Sequence, residues 1–462
     1  LAVTRTYALS ATPEAMASFT SLPTELILNI IGRIDLRSTE FIPAPSQELL
    51  SLSQTCKLFR TIVLPLMLES MTLLNEEKSG ASVLAILDSA YKKHIKKVHY
   101  IGIMPMPDDG HRGEDEYVQS PSAEDLPKSV EEVISNLDRL PNLERVVVEF
   151  RCAKNAEDEH DIYRDSFYNF DDPELDEDIP EAERTVAYRS LMERSYRALA
   201  RNPASAIKDL ELKNVVAKRC SAWNLPDFEA LLEDLTSFTI SLRGGDDGAG
   251  CWHINMCEGY RNFIQKLDAC FFEHLRNVKQ FSFAASEEAP PEIDSGPNNT
   301  ALKLLKGYMP QLQTLLLQYV FIGDGLANFI KAHHNLLEEV RLTDCYSGWN
   351  GEQGLDWEGF FIDIASKNMK SLRVFEIGAS DLERLPARDE EEHWEHEKVL
   401  QIQELCERFP GRRMYDYKYI DEKYGMVIDT EEAAFDRFES GGDQTGCELL
   451  TNNIKKNKGD DS

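Results

Sequence analysis

One short pattern recurs along this chain and narrows what it can fold into: apolar-x-x-apolar-x-apolar, set just after a stretch with helical periodicity. It runs through Ile95/Val98/Tyr100, Leu143/Val146/Val148, Ile207/Leu210/Leu212 and Leu235/Phe238/Ile240. It continues at Val278/Phe281/Phe283, Leu312/Leu315/Leu317, Leu337/Val340/Leu342 and Leu372/Phe375/Ile377. Alternation with period two marks a strand whose anchors face a core while the residues between them face away. Between these strands, apolar residues three and four apart predict helices over Val83–His94, Ser129–Leu140, Thr185–Asn202, Tyr260–Arg276, Thr300–Met309, Gly325–His334 and Trp357–Asn368. Pro141 and Pro310 each stop a helix just ahead of a strand.

Helix, short turn and strand in repetition imply a parallel sheet, since parallel neighbours need a crossover connection. Two architectures satisfy the pattern. In an irregular α/β solenoid each unit buries its face on its neighbours and the outward residues form one extended surface. An open doubly wound α/β sheet has the same local signature. The solenoid is the reading adopted, because the pattern resembles a divergent leucine-rich repeat over residues 75–384. The polar ladder of regular repeats is missing; Cys345 and Asn214 alone hint at such a position. In the solenoid Arg145, Glu149, Glu211, Lys213, Gln280, Gln318, Glu339, Arg341 and Glu376 would line the outward face. That mixed polar surface suits another protein better than a small metabolite; the plain alternative is that these side chains are simply solvated.

Residues 21–74 follow a different rule. Ser21 can cap a helix, Pro23 sits in its first turn, and Glu25 favours the positive helix end. Leu26, Ile27, Ile30, Ile31 and Ile34 then form an apolar stripe. Pro43 and Pro45 break the chain before a second helix from Glu48 to Arg60, and Pro65 opens a short third segment. A module this small has more apolar surface than it can hide internally. These residues resemble the F-box, whose pattern Leu-Pro-x-Glu-Leu-x-x-x-Ile is met by Leu22, Pro23, Glu25, Leu26 and Ile30. Its second motif is met by Leu49, Leu50, Leu52, Cys56, Lys57 and Phe59. The run Leu64–Leu68 through Leu73 looks like fungal F-box proteins in particular, while the loop between the helices is longer than usual. The resemblance implies docking to a Skp-type adaptor, and through it to a cullin scaffold. The adaptor-facing residues it implies are Leu22, Pro23, Leu26, Ile30, Leu50, Leu52, Cys56 and Phe59.

Charge bounds the partners. The net charge of −31 disfavours nucleic acid and anionic membranes and would steer basic clients. No apolar run approaches the ~20 residues of a membrane span. Nine dispersed cysteines without a CxxC suit a reducing compartment, so cytosol or nucleus is expected. Residues 1–20 are expected as a flexible start, with Met16 as the natural initiator. The acidic stretch 153–183 is expected as a mobile insertion, and 385–462 as a charged region ending in a disordered tail from Thr451.

Catalytic signatures are missing: there is no Gly-x-Ser-x-Gly, no His-Glu-x-x-His and no kinase set. Cys251, His253 and Cys257 crowd together, with Cys270 and His274 downstream, but a fourth zinc ligand is not evident. No metal, cofactor or catalytic residue is assigned. The expectation is therefore an N-terminal helical F-box followed by an irregular leucine-rich-repeat-like α/β solenoid. It would act as the substrate-recognition subunit of an SCF-type ubiquitin ligase. A ligase-independent scaffold and, more remotely, a metal-dependent enzyme centred on Cys251–Cys257 are the alternatives.

Overall fold

The computed structural model describes residues 26, 47–104, 121–151, 173–244, 253–293, 301–348, 355–378, 380, 396–421 and 423–459. All eight patterned segments are strands of one sheet: β2 (Lys97–Ile103), β3 (Arg145–Arg151), β4 (Asp209–Val215), β5 (Ser237–Leu242), β6 (Gln280–Ala284), β9 (Thr314–Gln318), β11 (Glu339–Thr343) and β13 (Val374–Ile377). A ninth, β1 (Ser70–Leu74), pairs with β2. Expected as the end of the helical module, Ser70–Leu74 instead opens the sheet, because Met71 and Leu73 alternate into the core. The order is β1-β2-β3-β4-β5-β6-β9-β11-β13, sequential throughout, and every pair is parallel.

The same joint recurs from unit to unit. The carbonyl just ahead of a strand accepts two N–H groups from the next unit. Lys96 accepts from Glu144 and Arg145, Thr236 from Lys279 and Gln280, and Lys279 from Gln313 and Thr314. Gln313 accepts from Glu338 and Glu339, and Glu338 from Arg373 and Val374. Two residues beyond the last anchor the chain turns through positive φ, at Asn214 (51°), Tyr319 (55°) and Asp344 (48°). None is glycine, so each turn stores strain that the flanking ladders must outweigh.

Most crossovers are helical. They are α3 (Glu77–Leu87), α4 (Lys128–Ile134), α5 (Ile179–Thr185) with α6 (Ala187–Ala200), α7 (Pro226–Glu233), α8 (Glu258–Cys270), α9 (Asp324–Ala332) and α10 (Trp357–Ala365). Their apolar stripes meet the strand anchors in one continuous core. Its centre is aromatic: Phe238 stacks on Phe281 at 6.3 Å and on Phe271 at 5.9 Å, and Trp223 lies 4.9 Å from Phe271. The helix expected over Thr300–Met309 does not form. Short strand β8 (Ala301–Leu302), paired with β7 (Glu292–Ile293), and a turn take its place. They belong to a second sheet, ordered β15-β14-β12-β10-β7-β8, with β10 (Phe321–Ile322), β12 (Tyr346–Gly348), β14 (Tyr417–Ile420) and β15 (Val427–Asp429).

Three other expectations change. The second helix of the N-terminal module is two, α1 (Gln47–Thr55) and α2 (Lys57–Leu68), because Cys56 is extended; Pro65 lies inside α2. The acidic stretch is anchored where it is described. Glu174 pairs with the buried Arg189 and accepts from Arg219, Asp176 pairs with Arg219, and Ile179 opens α5. The polar end is not a loose tail up to Gly459. After α11 (His396–Arg408) and α12 (Glu431–Ser440), α13 (Gly442–Gly459) packs on α10, with Leu450 and Ile454 buried. Residues 1–25, 153–172 and Cys251 lie outside the described residues.

Candidate functional site

The N-terminal helices have a small core of their own. Leu49, Phe59 and Val63 are buried together, with Leu52, Cys56, Ile62, Leu66 and Met67 around them, apart from the main core. What this core cannot absorb is left outside. Leu26, on a helix, is 49% exposed, Leu50 38% and Leu58 37%. Leu52 and Cys56 are half-buried. Phe59, expected to face a partner, is only 7% exposed: its ring fills the space between α1 and α2 and supports the module from within. Leu58, one position away, faces solvent instead, because the helical phase of α2 separates the two faces. Leu22, Pro23 and Ile30 lie outside the described residues.

The outward residues of the sheet stand in register. One row runs Arg145, Asp209, Ser237, Gln280, Thr314, Glu339, Val374, and the next Val147, Glu211, Thr239, Ser282, Leu316, Arg341, Glu376. Charges on this face pair sideways. Arg145 reaches Glu211 at 2.7 Å and Asp209 at 3.8 Å, and Arg341 joins Glu339 and Glu376. From β5 to β9 the face is uncharged and partly open, with Gln280 exposed and Gln318 bonded to Asp344.

Glu149 departs from the expectation of an available surface residue. It is 1% exposed. His99 Nε2 lies 2.8 Å from its Oε2, Arg151 donates to both oxygens at 2.8 and 3.1 Å, and Lys213 lies at 3.3 Å. Burial by itself would raise its pKa. The hydrogen bonds from His99 and Arg151 and the Lys213 and Arg151 charges outweigh that and hold it at about 2. Glu149 is thus a cross-strand staple, not a contact for a client. The signal in the sequence was Arg151, two residues on and therefore on the same face.

Asn214 and Cys345 also part ways. The Cys345 thiol is buried and donates to Leu317 O of the neighbouring unit, with its pKa pushed up to about 12 by burial. Asn214 instead holds the turn and reaches Glu149. Among the described residues no group of three or more His, Cys, Asp or Glu is arranged to hold a metal. Cys257 and Cys270 are buried in the apolar core, and His274 Nε2 faces Ala269 O. No described helix is long and apolar enough to cross a membrane.

The sequence model of the F-box domain matches residues 19–69, ending one residue before β1. The match supports an F-box protein. No curated protein matches the chain.

Proposed function

We propose that this chain is the substrate-recognition subunit of an SCF-type cullin ubiquitin ligase, with Leu26, Leu50 and the neighbouring Leu22, Pro23, Ile30 and Leu52 docking a Skp-type adaptor. The observation that carries the reading is a coincidence of position. The F-box match falls on residues 19–69, where the helices keep a separate core and leave large leucines in solvent. Water-exposed leucines on a module of this size are stabilised by a partner that covers them.

In this reading residues 70–378 are a leucine-rich-repeat-like solenoid. Sequential strand order, recurring bifurcated joints and recurring positive-φ turns support it, since a doubly wound sheet reverses its order at a switch point. The client lies on the open part of the sheet face, from Arg145, Glu211 and Lys213 through Gln280 and Gln318 to Glu339, Arg341 and Glu376. Ubiquitin transfer is left to the other subunits; this chain raises the client's effective concentration beside them.

Co-expression with a Skp-type adaptor tests the proposal. Wild-type chain is expected to co-purify with it. Leu26→Asp combined with Leu50→Asp is expected to weaken binding at least ~30-fold, the loss of a buried hot spot, with circular dichroism unchanged. Undiminished binding by a folded double variant overturns the assignment.

A further inference from the structure

The end of the chain is fastened by an exchange of carboxylates between two helices. Asp443, second residue of α13, is 3% exposed, and its Oδ1 accepts the Glu358 N–H at the start of α10 at 3.0 Å. In return the Glu358 side chain lies against Gly442, the first residue of α13, where a Cβ would collide with its carboxylate. Each helix thereby receives an acid from the other at its positive end. Gly446 allows the same close approach one turn later, against Glu358 O and Phe361.

The groups facing Asp443 come from every element around it. β14 supplies the Tyr417 hydroxyl, which donates to Oδ2 at 2.8 Å. α12 supplies the Arg437 charge, whose ion pairs go to Asp356 and Glu358. α10 supplies Asp356, its own N-cap through the Gly359 N–H, together with Glu358. Asp356 and Glu358, both partly exposed, therefore share the Arg437 guanidinium, while the buried Asp443 forms no ion pair among the described residues.

We propose that this joint is a proton-sensitive latch: protonation of Asp443 tightens the seating of the C-terminal helix on α10, and ionisation loosens it. Removing one of three negative charges relieves repulsion that a single arginine cannot balance, while the neutral acid still accepts the Glu358 N–H. Burial, followed by the Asp356 charge, raises the Asp443 pKa to about 6, against the opposing effects of Tyr417, Arg437 and the Glu358 N–H. The sign follows from linkage. The docked state holds the proton more tightly than the undocked one, so docking weakens as pH rises from the ordinary carboxylate range towards 6, then levels off.

Hydrogen exchange of the full chain, corrected for intrinsic rates, reads the latch directly. Peptides from residues 442–459 are expected to show an opening equilibrium about tenfold larger at pH 7.5 than at pH 5. Asp443→Asn keeps the acceptor and is expected to flatten that profile. Asp356→Asn keeps the α10 cap and is expected to reduce the pH step, which serves as the readout should Asp443→Asn fail to fold. A flat wild-type profile, protection that rises with pH, or wild-type pH dependence in either folded variant overturns the proposal.

Discussion

Glu149 and Asp443 are both buried carboxylates, and their surroundings push them in opposite directions. Glu149 is enclosed by His99, Arg151 and Lys213, and its pKa falls to about 2. A depressed acid contributes stability above its unfolded value, and that contribution is lost as pH falls from about 4.5 towards 2. The shift corresponds to ~3 kcal/mol at neutral pH. Glu149→Gln is therefore expected to lower stability by ~2–3 kcal/mol at pH 7 and to blunt the acid limb of the unfolding curve. Denaturant titrations at pH 7 and pH 3.5 check both. The outward position of Glu149 was legible from strand alternation. Its burial was not, because His99 and Lys213 reach it from strands 50 and 64 residues away.

At the scale of elements, the strands were legible because each anchor pair had to alternate to reach the core. Phe238 is fully buried while Thr239 faces the other way. Phe238→Ala is expected to cost ~3–5 kcal/mol and Thr239→Ala within about 0.5 kcal/mol, measured by equilibrium unfolding. The positive-φ turns were not legible, since Tyr319 carries none of the usual turn chemistry. Tyr319→Gly is expected to be near neutral on the backbone account, with relieved strain offset by the larger entropy of the unfolded chain. The failed helix over Thr300–Met309 has a similar lesson. Ala301 and Leu302 joined a short parallel ladder with β7 instead, a contact no local window contains.

For the whole molecule, α13 matters beyond its length. It covers α10, the last crossover helix, and Leu450 and Ile454 enter the same core as Met71 at the far end of the sheet. Leu450→Ala is expected to cost ~2–5 kcal/mol. If units couple through neighbours, protection from exchange should fall first in α10 and β13 and last in β1–β3. Periodicity alone determined eight of the nine strands of the large sheet and their spacing, and short motifs determined the helical module ahead of them. Both signals are local, carried by side chains within six or seven residues of one another. Tertiary structure decided the strand order, the second sheet, the seating of α13 and which outward residues stay in solvent. Those outcomes depend on contacts between segments far apart in the chain, where burial and countercharge, rather than local pattern, set the energy.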